Sequence, residues 1–244
     1  EAVLVLLLRS FTGDESLLLK GLIVLGLFLV ITIVVYLIGS KNVILWSAFD
    51  YSIFDEEESP KTEAVSEEDE NVTEYTITQL CEESAYYFRR MKAGLPRTAD
   101  RDLKTALLAR KVAGYAGADL ELVQAALMYR NICKLAESDD KEAYLDSLKI
   151  PDRLKTMIRR ENSADFRPSG FEEIIVYATF ETVAAYHYFV SKNKAFAVDT
   201  IVDSICKLLL TKGIVRDSML SMSMFHRMKQ GLIDYFNEFF GIYN

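Results

Sequence analysis

The sequence predicts an all-α protein, a bundle of about seven helices attached to a transmembrane helix. Three observations carry this. Residues 21–40, GLIVLGLFLVITIVVYLIGS, contain no charged side chain. From residue 76 to the end, apolar residues recur at spacings of three and four, and no convincing stretch alternates apolar with polar as a half-buried strand would. Residues that start and stop helices punctuate that same region.

A chain of 244 residues has room for one sizeable core plus an anchor. Half of its residues are hydrophobic and 26% are charged, a mixture of membrane and globular classes that places a boundary within the chain. The net charge of -8 repels a polyanion over the whole surface and argues against general nucleic-acid binding, although it leaves room for a local basic pocket.

In chain order, residues 2–8 are apolar and 9–16 are polar. This pattern reads either as the end of an earlier membrane helix with a tight loop after it, or as a short interfacial segment. The first residue is not Met, so a processed, trimmed or fragmentary chain is expected. Residues 21–40 at a rise of ~1.5 Å each cross the ~30 Å of bilayer hydrocarbon. Lys20 and Lys41 bracket them, and Tyr36, Trp46 and Tyr51 suit the headgroup zone. A signal-peptide core would be shorter and would lead into small residues, unlike Ser40-Lys41-Asn42-Val43. A buried soluble helix rarely stays apolar on every face for so long. Arg9 and Lys20 before the span balance Lys41 and Lys61 after it, so the positive-inside rule sets no orientation.

Residues 1–48 therefore read as the membrane anchor and 49–75 as a linker. Between positions 55 and 70 lie nine acidic residues and one basic one, Lys61, a composition that repels itself and stays solvated. Asn71-Val72-Thr73 fits a glycosylation sequon, which has no role on a cytoplasmic face. Cys81, Cys133 and Cys206 are odd in number and far apart with no CxxC spacing, so they read as reduced core thiols in a cytoplasmic domain.

That helical domain, 76–244, shows helix starts at Thr76 or Thr78, Asp100, Asp119, Asp139, Pro151 and Asp199, with stops at Gly94-Leu95-Pro96, Gly117 and Gly213. Apolar spacing of three and four recurs in Leu103, Ala106 and Leu107, and again in Leu122, Ala125, Ala126 and Tyr129. His187 and His226 are the two histidines, and without neighbouring ligands each reads as a packed or surface residue. Met219, Met222 and Met224 read as adaptable core or interface filling.

The stretch LKTALLARKVAGYAGADLELVQAALMYRNICKLA, residues 103–136, resembles the first half of an HD-type phosphohydrolase domain, and the match is closest to the C-terminal HD domain of seven-transmembrane cyclic-di-AMP phosphodiesterases. In that family a helix beginning with His ends at a Gly, and the next ends in His-Asp-Ile-Gly-Lys. Here the second helix ends in Tyr129-Arg130-Asn131-Ile132-Cys133-Lys134, so Arg130 and Asn131 stand where the resemblance implies His and Asp. Counting back from Gly117, the family's first His falls on Arg101. A family His-His pair answers to Arg160-Glu161, and a metal-ligating Asp in a pattern like Ala-Asp-Ser-Val-Glu-Ala-Ala answers to Glu181 in Phe180-Glu181-Thr182-Val183-Ala184-Ala185. The family's closing Gly-Ile-Tyr-His looks like Gly241-Ile242-Tyr243-Asn244.

An HD site holds divalent metal through imidazole and carboxylate, and the metal acidifies a water and offsets phosphate charge. A guanidinium stays protonated and has no lone pair to donate, so Arg101, Arg130 and Arg160 cannot replace histidines as ligands. The resemblance thus implies an HD-like helical bundle without catalytic residues, without a bound metal and without a cofactor. Arg101, Arg130, Asn131, Arg160, Glu161 and Glu181 form its vestigial site, either filling the former metal cavity by pairing arginine with Glu161 and Glu181, or holding an anion such as a nucleotide without cleaving it. The leading expectation is an inactive scaffold or assembly component of a membrane complex, with other protein subunits and the bilayer as partners. The alternatives are a cyclic-dinucleotide sensor and a metal-dependent phosphohydrolase with unfamiliar ligands.

Overall fold

A computed structural model describes residues 74–136, 139–163, 166–218 and 220–241, and every described residue is helix, turn or irregular, with no strand among them. The expected membrane anchor (1–48, with its helix at 21–40), the linker up to residue 73, the sequon, Met219 and residues 242–244 lie outside the described residues. Among the described residues no helix is long and apolar enough to cross a membrane.

Helix α1 (Ile77–Leu80) opens on a reciprocal cap. The Thr76 hydroxyl accepts from the Gln79 amide at 3.3 Å, and the Gln79 side chain accepts from the Thr76 amide at 2.9 Å. Helix α2 (Tyr86–Gly94) stops at Leu95 because Pro96 follows, and α3 (Pro96–Ala116) begins there with proline in its first turn. The start expected at Asp100 is therefore a full turn late. Gly117, at φ 85°, ends α3 in the left-handed region.

Asp119 caps α4 (Leu120–Tyr129) by accepting from the Leu122 amide, and all residues from Leu122 to Tyr129 are buried. A 3-10 turn (Ile132–Leu135) follows, then α5 (Lys141–Ser147), capped by Asp140 and not by Asp139. Helix α6 (Asp152–Glu161) starts after Pro151, and α7 (Phe171–Ser191) starts after Gly170. Helix α8 (Val198–Thr211) is followed by Gly213 at φ 70° and the short α9 (Ile214–Asp217), and Ser221 caps α10 (Met222–Phe240).

The expected seven helices are ten α-helices and one 3-10 turn among the described residues. The difference lies in α1, α5 and α9, which are too short to display a repeating apolar stripe.

Helix α3 is the central post, packing most extensively on α4 and α10 and also touching α2 and α7. Its face of Ala99, Ala106, Ala109 and Ala113 is small, which lets neighbouring helices approach closely, while Leu108 and Val112 fill the gaps. At Gly231 of α10 an added Cβ would stand 3.5 Å from the Val112 backbone. Helix α7 lies across α3 and α4 and is backed by α8, and the buried Ile174, Ile175, Val202, Leu232 and Phe236 close the core. Each such side chain contributes about 1.5–3 kcal/mol by leaving water.

Candidate functional site

The N-terminal half of α3, the end of α4, the end of α6 and the middle of α7 supply the expected site residues. Arg101 lies on α3, and its guanidinium meets Oδ1 of the adjacent Asp102 at 3.3 Å. Asp102 was not among the expected residues, yet it occupies the buried stripe of α3 between Ala99 and Ala106 and is only 3% exposed. Its Oδ2 accepts from the Asn131 side-chain amide at 2.7 Å. Burial pushes the Asp102 carboxyl upward, and Arg101, the Asn131 hydrogen bond and Arg130 oppose that rise.

Asn131 joins α4 to the 3-10 turn, so one break in the chain presents both Arg130 and Asn131. The Arg130 guanidinium carbon lies 3.3 Å from the centre of the Phe180 ring on α7, a cation stacked on an aromatic face. Its backbone carbonyl accepts from Asn162 at 3.2 Å, which ties the end of α4 to the end of α6.

Glu161 closes α6 and is 7% exposed, with neither carboxyl oxygen in a hydrogen bond. Burial raises its pKa to about 8. Arg130 pulls it down, whereas Glu173 and Asp102 push it further up. The structure thus gathers Arg101, Asp102, Arg130, Asn131 and Glu161 around one another, with Glu161 held predominantly as the neutral acid at pH 7.

Arg160 turns the other way, since successive helical residues point about 100° apart. Its guanidinium donates to Glu173 Oε1 at 2.5 Å, the Ser169 hydroxyl at 2.9 Å and the Arg167 carbonyl at 3.1 Å. The expected pairing of Arg160 with Glu161 is replaced by one with Glu173, whose other oxygen takes the Ser169 amide at 2.8 Å at the entry to α7. The signal for Glu173 was its place as an acid three residues after Gly170, where a helix start favours negative charge. Glu181 is half-buried on α7, one turn beyond Tyr177. Burial lifts the Tyr177 hydroxyl to about 12, and Glu181 adds to the rise.

These groups are poorly suited to hold a divalent ion. Three are guanidinium cations, Asp102 already serves Arg101 and Asn131, and Glu161 favours its proton. Among the described residues no three His, Cys, Asp or Glu side chains meet in a metal-holding group. His187 packs edge-on against Tyr186 and Phe240, at 5.1 and 5.9 Å between ring centres. Its pKa is lowered by burial and then by Arg101 and Lys104. His226 is exposed on α10, as is Met222, whereas Met224 is half-buried. All three cysteines are free thiols.

No family model matches this chain, and no curated protein matches it. Among solved structures it is similar to the HD domain of the Listeria monocytogenes phosphodiesterase PgpH, with 16% identity and a TM-score of 0.52. That match covers 64% of this chain and 99% of the other. The same domain in complex with cyclic-di-AMP matches with equal identity and score over 65% of this chain and 98% of the other. The likeness shows the fold: the described helices form an HD-like domain.

Proposed function

We propose, taking the HD-like fold as the premise, that this chain is a catalytically inactive HD relative that serves as a scaffold or assembly component. In this reading residues 21–40 hold it at a membrane, its helical domain faces the cytoplasm, and its partners are other protein subunits. The observation that carries the proposal is the fate of the ligand positions. Where the resemblance implies metal-binding His and Asp, the chain has Arg101, Arg130 and Asn131, and they engage Asp102 and Phe180 inside the domain. These contacts tie α3, α4 and α7 together, and a guanidinium cannot generate a metal-bound hydroxide.

The test is to purify the full chain in detergent, load it with Mn²⁺, measure bound metal by mass spectrometry and incubate it with cyclic-di-AMP. No stoichiometric metal and no cleavage above the protein-free control are expected. Stoichiometric metal together with turnover that is lost in Glu161→Gln would overturn the proposal.

A further inference from the structure

A wide cleft borders the domain beside the cluster around Asp102. It has a volume of about 810 Å³ and lies where the start of α3 faces the end of α10 and the second half of α7. That is within the ~300–1,000 Å³ typical of small-molecule sites. Arg97, Arg101 and Lys104 line it at spacings of four and three, so one face of α3 presents all three cations. Two acids also border it, but Asp100 lies 3.6 Å from Lys92 and Glu238 pairs with Lys111. Lys104 is exposed and has no partner among the described residues.

The opposite wall is aromatic. Tyr186 and Phe239 line the cleft and are each half-buried, with Lys111 Nζ 5.7 Å from the centre of the Phe239 ring. Edge contacts with Phe196, Phe236 and Phe240, at 5.2 to 5.7 Å between centres, hold the Tyr186 ring in place. A cationic wall facing preset aromatic surface matches a ligand that carries negative charge and a flat ring.

We propose that this cleft is a binding site for an organic anion of that class, a phosphate or similar group attached to a planar ring. Arg101 and Lys104 take the charge, and Tyr186 and Phe239 take the ring. This inference does not depend on the loss of catalysis, because the cleft is built mainly from residues outside the vestigial cluster. Only Arg101 borders both.

His187 lies in the same cleft and supplies a built-in reporter. The cations facing it are Arg101 and Lys104 from α3, with Arg97 and the acids Asp100 and Glu238 also around the cleft, and Tyr186 and Phe240 pack its ring. An anion bound between Arg101 and Lys104 would offset the charges that disfavour protonation of His187.

The experiment uses the full chain in detergent micelles with isotope-labelled histidine, which gives signals from His187 and His226 alone, assigned with His226→Gln. Adenosine monophosphate, adenosine and inorganic phosphate are titrated separately. Adenosine monophosphate should move the His187 signals saturably and shift their pH midpoint upward, while the exposed His226 stays unmoved. Adenosine and phosphate should each bind at least about tenfold more weakly, and Lys104→Ala should weaken the mononucleotide about tenfold. Lys104→Gln, which keeps the side-chain bulk, should reproduce that loss with unchanged helix content. The proposal is overturned if His187 does not respond at millimolar mononucleotide, if both Lys104 variants bind as the parent does, or if phosphate alone binds equally well.

Discussion

Glu161 is the residue whose behaviour departs furthest from what its type suggests. Its ordinary pKa near 4.5 is raised to about 8 by burial, so between those values the folded chain keeps a proton that the unfolded chain has lost. Its contribution to stability is therefore fully present below about pH 4.5 and is lost as pH rises to about 8. Glu161→Gln removes that titration. The variant should lose stability less steeply between pH 5 and 8, and near pH 8 it should be more stable than the parent, by on the order of 1–3 kcal/mol. Asp102 is shifted in the same direction, so some pH dependence will remain. Urea unfolding at the two pH values checks this, and a steeper fall in the variant would contradict it. The resemblance sets Glu161 against one of the family's paired histidines. It does not show burial without a hydrogen-bond partner, because that depends on three other helices closing over it.

At the scale of elements, local chemistry was readable wherever the deciding atoms lie within one turn. Thr76, Asp119, Pro151 and Gly117 bound helices as their residue types suggest. The helix start expected at Asp100 is four residues late because Pro96 already fits a helix start, whereas Asp199 lies in the first turn of α8. Gly117→Ala should cost about 1–2 kcal/mol, since an L side chain is disfavoured at φ 85°. A shift of the denaturant midpoint at constant m-value would register it. The entry to α7 gives a second test. Glu173 is 8% exposed and accepts from Ser169 and Arg160, so Glu173→Ala should cost about 1–3 kcal/mol. Arg160→Ala should cost no more than about 1 kcal/mol, because its side chain is 38% exposed and water can replace the partner. An equal loss from both variants, measured by thermal or urea unfolding, would show that the pair and not the helix entry is at stake.

For the whole molecule, the tests concern the boundary between the two compositions. The core residues Leu108, Leu127, Ile174, Val202 and Phe236 are all supplied by the helical domain itself. A chain starting at Asn71 should therefore be soluble, helical and cooperative in melting, as circular dichroism and gel filtration can establish. Aggregation of that chain beside a stable full-length protein in detergent would mean that the domain needs its remaining sequence. The full chain should resist carbonate extraction, and Val30→Arg should oppose membrane insertion by about 3 kcal/mol on glycosylation-reporter assays. Complete release of the unmodified chain by carbonate would remove residues 21–40 as a span.

The sequence by itself determined the helical class and several helix ends, because these depend on residue type and on neighbours within a turn or two. Tertiary structure decided which charges meet. Arg160 and Glu161 are adjacent in the chain, yet one pairs with Glu173 and the other is sealed beside Asp102 and Arg130. Asp102 became part of the site only when Asn131, 29 residues away, closed on its carboxylate. The cleft of Arg97, Arg101, Lys104, Tyr186 and Phe239 likewise arises from three helices distant in sequence. The physical reason is range. Capping and periodicity act over about one helical turn, whereas desolvation and charge pairing depend on every element that packs around a group.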